Sequence, residues 1–250
     1  MLNFEHVVYR YPSEAESTVE DLSFQLKKGE FVSLIGPSGC GKTTIFKLIN
    51  RFLIPQSGKI RLYGENISEK RSICGYMPQK DLLFPWRTVE ENLILPMEIR
   101  GGFSRAEMSE KAEALLRQAG LEGQGKKYPS ELSGGMRQRA SFVRTLLTGA
   151  ELLLLDEPFS ALDYLTRLSM REWLLKQWER EKKTVLFITH DVEEAIFLSG
   201  RVLVAEESPI RTLKSVEVPL GYPRRQEDLE RPELLALKEA LLGMLRREAV

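Results

Sequence analysis

The sequence predicts an α/β fold: a core with a mostly parallel central sheet, an N-terminal antiparallel β subdomain and an inserted α-helical subdomain. Three observations carry that expectation. The first is a strand pattern, Phe31-Val32-Ser33-Leu34-Ile35, followed by Gly36-Pro37-Ser38-Gly39-Cys40-Gly41-Lys42-Thr43-Thr44 and then by Ile45-Phe46-Lys47-Leu48-Ile49. Strand, glycine-rich loop and helix in that order make a cradle for a phosphate. The second is Leu152-Leu153-Leu154-Leu155 running into Asp156-Glu157, an apolar run suited to a strand buried on both faces. The third is residues 80–131, which have helical character and no convincing strand, set between stretches rich in strands.

Taken in order, the chain opens with strands. Residues 2–11 read as a strand ending at Pro12, which holds Tyr11 extended. Leu22, Phe24 and Leu26 alternate with Ser23 and Gln25, as in a half-buried strand. Lys28-Gly29 turns the chain into the strand before the glycine loop. After the loop's helix, Gln56-Ser57-Gly58 reads as a turn, and Ile60 and Leu62 as the inward face of another strand. Residues 73–77 read as a strand that runs into Pro78-Gln79.

The helical insertion follows. Ser104 and Glu107 form a capping-box pattern, Met108, Ala112, Leu115, Leu116 and Ala119 follow at helical spacing, and Gly120 suits the C-terminal cap. A further helix starts near Gly134, and another covers residues 165–180. Val185-Leu186-Phe187-Ile188 is a buried strand ending at Thr189-His190. Asp191 and Glu194 occupy the N-cap and N3 positions of a helix that stops near Gly200. Val202-Leu203-Val204 reads as a strand. Leu234, Leu237, Leu241 and Leu245 lie at helical spacing in a tail helix expected to dock on the chain itself. The expected organisation is one domain. Residues 1–79 and 136–220 form the core with its antiparallel subdomain, 80–135 the helical subdomain, and 221–250 the tail.

Composition narrows the function. The 250 residues include 36 Lys+Arg and 36 Asp+Glu, a formal net charge of zero, which argues against broad electrostatic binding of nucleic acid. Cys40 and Cys74 have no metal-ligand spacing, and Cys40 lies inside the glycine loop, so a reducing compartment is expected. The start lacks a basic-then-apolar signal pattern, and no apolar run approaches the ~20 residues that span a bilayer. Any membrane association is therefore expected to come through a partner.

The chemistry is that of a nucleotide. The loop glycines let consecutive N–H groups turn around one anion without a Cβ in the way. Lys42 supplies a positive point charge for the β- and γ-phosphates, and Thr43 a hydroxyl for Mg²⁺. Asp156, at the end of a core strand, suits Mg²⁺ through its waters. Glu157 suits the polarisation of a water that attacks the γ-phosphate. Leu132-Ser133-Gly134-Gly135-Met136-Arg137-Gln138-Arg139 places two glycines before a helix, a second anion-binding N-terminus. One chain thus carries two phosphate-cradling devices and one acidic pair, which suits two copies facing head to tail.

These motifs resemble the ATP-binding subunit of an ABC (ATP-binding cassette) transporter, over nearly the whole chain and in the family's order. The resemblance implies the P-loop NTPase core, ATP and Mg²⁺ as ligands, and ATP hydrolysis coupled to transport. Gly36 to Thr43 matches the Walker A loop, with Thr44 after it. Gln79 matches the Q-loop glutamine, which in the family reaches Mg²⁺ and the attacking water. Leu132, Ser133, Gly134, Gly135 and Gln138 match the signature LSGGxxQ, which acts on the other copy's nucleotide. Leu152 to Glu157 matches Walker B with its catalytic glutamate. Ser160-Ala161-Leu162-Asp163 matches the D-loop, although Asp163 also suits a simple turn. His190 matches the switch histidine at the γ-phosphate; by itself it is an ordinary loop histidine. Tyr11 matches the aromatic that stacks on adenine, with Tyr9 close enough to compete.

A narrower resemblance rests on Leu83-Phe84-Pro85-Trp86-Arg87-Thr88-Val89-Glu90-Glu91-Asn92 and on Asp156-Glu157-Pro158-Phe159 through Arg167. These look like the nitrate/sulfonate/taurine branch of bacterial importers, which also handles thiamine-precursor pyrimidines. Ala150 stands where that pattern has a proline. The resemblance implies a homodimer formed with ATP, a multi-span membrane permease as partner and, through it, a substrate-binding protein. It places the chain on the cytoplasmic face of the membrane, peripheral through the permease, and no nucleic acid is expected. The tail after Glu206 is too short for the regulatory domain of some sugar-importer ATPases. The alternative is a soluble ATPase of the same family acting on nucleic acid or ribosomes. Such proteins carry long coiled coils or two fused cassettes, and this sequence has neither. A P-loop kinase would lack the signature stretch.

Overall fold

The computed structural model describes residues 1–69 and 74–246. In chain order the elements are β1 (Leu2–Tyr9), β2 (Val19–Leu26), β3 (Phe31–Ile35), α1 (Lys42–Ile49), β4 (Ser57–Leu62), β5 (Glu65–Asn66) and β6 (Gly75–Met77). Then come α2 (Val89–Arg100), α3 (Arg105–Gln118), α4 (Gly134–Leu147), β7 (Leu152–Asp156) and α5 (Tyr164–Glu181). The chain ends with β8 (Thr184–Ile188), α6 (Val192–Leu198), β9 (Arg201–Val204), β10 (Lys214–Glu217) and α7 (Pro232–Arg246). The fold is the expected α/β one: parallel core strands, an N-terminal antiparallel sheet and a helical subdomain. The chain divides into two compact units, Met1–Ile73 with Glu179–Val250, and Cys74–Trp178.

The first unit holds two groups of strands. β2, β1, β4 and β5 form an antiparallel sheet in that order. β1 stops at Tyr9, two residues short of the expected end. The stretch read as a turn at Ser57-Gly58 is instead the start of β4, and the register of β1 against β4 slips between Glu5 and Val8. Gly58 has φ +81°, and a Cβ there would lie 2.2 Å from the His6 carbonyl oxygen. The glycine therefore permits a bulge within the sheet rather than a reversal. The second group is parallel: β3 lies between β8 and β9, and β10 pairs antiparallel with β9. β3 and β8 are buried along their whole length, as continuous apolar runs require. The tail helix α7 docks on this unit as expected. Leu234 and Leu241 join Ile35, Val192, Ala195, Ile196, Val202 and Val204 in one apolar cluster.

In the second unit β6 pairs in parallel with β7, Gly75 opposite Leu153. The strand expected over residues 73–77 is Gly75–Met77, and Ile73 lies outside the described residues. α2, α3 and α4 pack around Leu93, Ile94, Met97, Ala112, Leu116 and Val143. The predicted capping box of α3 is present. Ser104 Oγ accepts from the Glu107 N–H, and Glu107 Oε2 accepts from the Ser104 N–H at 2.7 Å. Gly120 follows the C-cap Ala119 with φ +67°. α2 carries a second capping box, Thr88 with Glu91, that the sequence reading passed over. Among the described residues, no helix is long and apolar enough to cross a membrane.

Candidate functional site

The predicted site residues fall in both units. In the first, the glycine loop follows β3, whose two parallel neighbours fix its direction. Gly39 and Gly41 take φ +81° and +114°. Gly41 is the N-cap of α1 and offers no side-chain cap, and a Cβ on it would lie 2.8 Å from the Thr18 methyl. The opening N–H groups of α1 thus stand at the positive end of a helix, where an anion binds. Lys42 is buried, and its Nζ donates to the carbonyls of Gly36 (2.8 Å) and Pro37 (2.6 Å). Cys40 Sγ lies 3.9 Å from that ammonium. The cation is held by the loop's own backbone, away from bulk water, where a charge interacts most strongly. Thr43 is exposed on the first turn of α1, while Thr44 is buried with its Oγ1 3.1 Å from the Tyr11 hydroxyl.

The two candidate aromatics separate. Tyr9 is buried in β1. Tyr11 is half-buried, edge-on to Tyr9 at 5.0 Å, with Lys47 Nζ 5.7 Å from its ring centroid. His190 is exposed at the end of β8. Ile188 of β8 is the register partner of Leu34 in β3. Two residues further along each strand lie His190 and Gly36, so the histidine leaves the sheet at the same edge as the glycine loop, where α/β sheets bind ligands. The backbone around it is fixed. Buried Thr189 donates its hydroxyl to Glu194 Oε2 at 2.6 Å and accepts from the Asp191 N–H at 3.0 Å. Asp191 caps α6 by accepting from the Glu193 and Glu194 N–H groups. Glu194 sits at N3 as predicted, but its carboxylate turns to Thr189 instead of closing a capping box.

In the second unit Asp156 ends β7 and is 3 % exposed. Tyr76 on β6 has its hydroxyl pushed up to about 12, first by burial and then by the Asp156 carboxylate. Glu157 follows in the left-handed region at φ +48°, and Gln79 Nε2 donates to its Oε2 at 3.1 Å. Two predicted residues 78 positions apart in sequence are therefore in contact. Ser133 caps α4, accepting from the Met136 N–H, and Ser133 and Gly134 are exposed at the start of this 14-residue helix. Leu132 is buried beneath them. Asp163 accepts from the Thr166 N–H at 3.1 Å, and the Thr166 hydroxyl and N–H hold its carboxyl below the usual range.

Gln138 has a role that its place in the signature did not suggest. It is 3 % exposed. Its Nε2 donates to the Glu157 carbonyl and to Ser160 Oγ, both at 3.2 Å, and its Oε1 accepts from the Ala161 N–H at 2.8 Å. It ties the signature helix to the turn that carries Glu157, within its own chain. Asp81 is a further residue of the site region that no sequence motif marks. Its Oδ2 accepts from Arg137 Nε at 3.0 Å, while Arg144 donates to the carbonyls of Asp81 and Leu82. The segment after Gln79 is thereby bonded to the signature helix. These partners lie 56 and 63 residues apart, so no local sequence pattern signals the tie.

A family model described as "ABC transporter" matches residues 19–160. The formylaminopyrimidine import ATP-binding protein ThiZ of Halalkalibacterium halodurans is 42% identical over 252 residues, covering 100% of this chain and 98% of that protein. The aliphatic sulfonates import ATP-binding protein SsuB of Bacillus cereus is 42% identical over 220 residues, 87% of this chain and 86% of that protein. Among solved structures, the dimeric post-hydrolysis state of the ATP-binding cassette MJ0796 bound to ADP and Pi has a TM-score of 0.80 at 28% identity. It covers 89% of this chain and 100% of that one. With a glycine loop around a buried lysine and a glutamine-tethered carboxylate at the end of a core strand, this chain belongs to the ABC transporter family, as an ATP-binding subunit that hydrolyses ATP.

Proposed function

We propose that two copies of this chain close on ATP and Mg²⁺, and that hydrolysis drives solute import through a membrane-spanning partner. One observation carries the reading. Among the described residues, two helix N-termini suit an anion, at Gly41 before α1 and at Ser133-Gly134 of α4, and the first alone is served by a buried lysine. A second device with exposed Ser133 and Gly134 has its use on the nucleotide of another copy. The relatives named for import of sulfonates and of formylaminopyrimidine support that branch.

The roles follow from residue chemistry. Lys42 binds the β- and γ-phosphates, and Tyr11 offers its ring to adenine. Glu157 takes up the proton of the attacking water, with Gln79 orienting its carboxylate, and His190 contacts the γ-phosphate. Ser133 and Gly135 approach that phosphate from the second copy, and Asp163 holds the D-loop turn between them. The oxygen donors Thr43, Asp156 and Gln79 suit Mg²⁺, a hard cation that keeps waters and substrate oxygens in its shell. Mg²⁺ held by such oxygens would neutralise charge on the phosphate oxygens.

The test is a Glu157→Gln chain, which keeps the shape and removes the base. Size-exclusion chromatography with ATP and Mg²⁺ is expected to show a dimer that the parent chain does not hold after hydrolysis. A variant that binds ATP yet stays monomeric at high concentration overturns the composite site.

The membrane contact is assigned to residues 82–86. Leu83 is buried in the helical core, but Leu82, Phe84 and Trp86 are exposed, Trp86 by 70%. Asn92 is fully buried and pins this segment: its Oδ1 accepts from the Phe84 N–H at 2.7 Å, and its Nδ2 donates to the carbonyls of Phe84, Arg87 and Thr88. A large aromatic held outward on a rigid loop is an interface anchor. Trp86→Ala is expected to leave the melting temperature of the chain nearly unchanged and to weaken assembly with the membrane partner by about 2 kcal/mol. A large drop in melting temperature with unchanged substrate stimulation of the ATPase would make Trp86 a core residue.

A further inference from the structure

The short helix after His190 does not hold itself in place. α6 has seven residues, about two turns, too few to be stable alone. Its last carbonyls have no partner within the helix, and side chains from one tail segment take them. Arg224, 6 % exposed, donates through Nη1 to the carbonyls of Ile196 (2.6 Å), Phe197 (3.3 Å) and Ser199 (2.8 Å). Tyr222 donates its hydroxyl to the carbonyl between them, Leu198, at 2.9 Å. Four consecutive carbonyls therefore face two residues that follow β10, with the longer Phe197 contact sharing an Nη1 hydrogen with its neighbours. The guanidinium lies 4.2 Å from the Tyr222 ring centroid and also donates to the carbonyls of Leu220 and Gly221, so the clamp is rigid in itself.

The opposite end of α6 is gripped by the same tail. Lys238 of α7 donates to Glu193 Oε1 at 2.6 Å, and Leu234 and Leu241 pack with Val192, Ala195 and Ile196. From α6 the constraint passes to the histidine through the Asp191 cap and the Thr189–Glu194 bond. A cation at a helix C-terminus also interacts favourably with the helix dipole, but a cap alone needs one or two carbonyls. Four, with a second grip at the N-terminus, set the position of the whole helix.

We infer that Arg224 is a positioning residue for ATP hydrolysis: with Tyr222 and Lys238 it fixes α6, and through α6 the pose of His190. The inference rests on the reading of His190 as a γ-phosphate contact. A displacement of ~1 Å at such a group costs up to about 10²-fold in rate, so loss of the clamp lowers turnover while nucleotide binding at the glycine loop persists.

The experiment is a double-mutant cycle on the full chain, with steady-state ATP hydrolysis and binding of a fluorescent ATP analogue measured on each protein. Arg224→Gln is expected to lower kcat by about 10-fold and to change KM by less than about 2-fold. In a His190→Ala background the same substitution is expected to change the residual rate by less than about 2-fold, because residues acting as a unit are not additive. Arg224→Lys, which keeps a donor at the carbonyls, is expected to recover part of the rate. An equal fold-loss in both backgrounds shows a merely structural arginine and overturns the inference, as does an unchanged kcat for Arg224→Gln. A His190→Ala chain that turns over at the parent rate overturns the histidine reading itself, and the two failures are distinct. Should Arg224→Gln not fold, Tyr222→Phe and Lys238→Met carry the same cycle. Each loosens one grip, and no loss of kcat in either overturns the clamp.

Discussion

A chain carrying Lys42→Ala is expected to lose ATP hydrolysis, with kcat/KM lower by about 10³-fold, because the phosphates lose their nearest fixed cation. Two effects combine. The ammonium proposed to meet the β- and γ-phosphates is gone, and the glycine loop holds no second lysine to replace it. The carbonyls of Gly36 and Pro37 also lose the lysine as their donor, a part-buried pair of bonds worth about 1 kcal/mol each. Calorimetric titration with ATP and phosphate release measured on the same preparation check this. A variant that retains hydrolysis within ten-fold of the parent rate would show that the backbone N–H groups of the loop suffice. Circular dichroism checks that the strands and helices stay intact, so that lost hydrolysis is read at the loop and not as unfolding.

His190→Ala is expected to bind ATP as the parent chain does and to hydrolyse it about 10²- to 10³-fold more slowly, the scale of one lost contact to the reacting phosphate. The side chain is exposed, and the bonds that fix its backbone belong to Thr189, Asp191 and Glu194. The substitution should therefore leave stability within about 0.5 kcal/mol of the parent. Single-turnover hydrolysis at saturating ATP reads the chemical step directly. Parent-like turnover would return His190 to an ordinary loop histidine.

The parts of the site legible in the sequence are those whose chemistry is local. Lys42 and the glycines sit within nine consecutive residues, and β3, β7 and β8 announce themselves as apolar runs because they are buried on both faces. Less was legible where an element faces water or answers to a distant partner. β10 is Lys-Ser-Val-Glu, largely exposed, and earns its place only by pairing with β9. Gly58 has the composition of a turn, and only the His6 carbonyl opposite shows it to be a bulge. Gln138 stands at a recognisable spacing, yet spacing says nothing of where an amide folds, and three bonds to the turn at Glu157–Ala161 decide it. Arg224 carries no local signal in the sequence, because the carbonyls it serves lie 25 to 28 residues earlier.

The backbone at Glu157 has an evolutionary consequence. A residue with a Cβ at φ +48° is in a conformation that glycine adopts far more readily, and it costs on the order of 1 kcal/mol or more. A chain selected for stability alone would drift towards glycine here, shedding that strain together with the carboxylate. An acidic side chain held in this conformation keeps its carboxylate at the cost of that strain, a trade between function and robustness. Among descendants of this sequence that no longer hydrolyse ATP, position 157 is where the fold gains most readily from the loss.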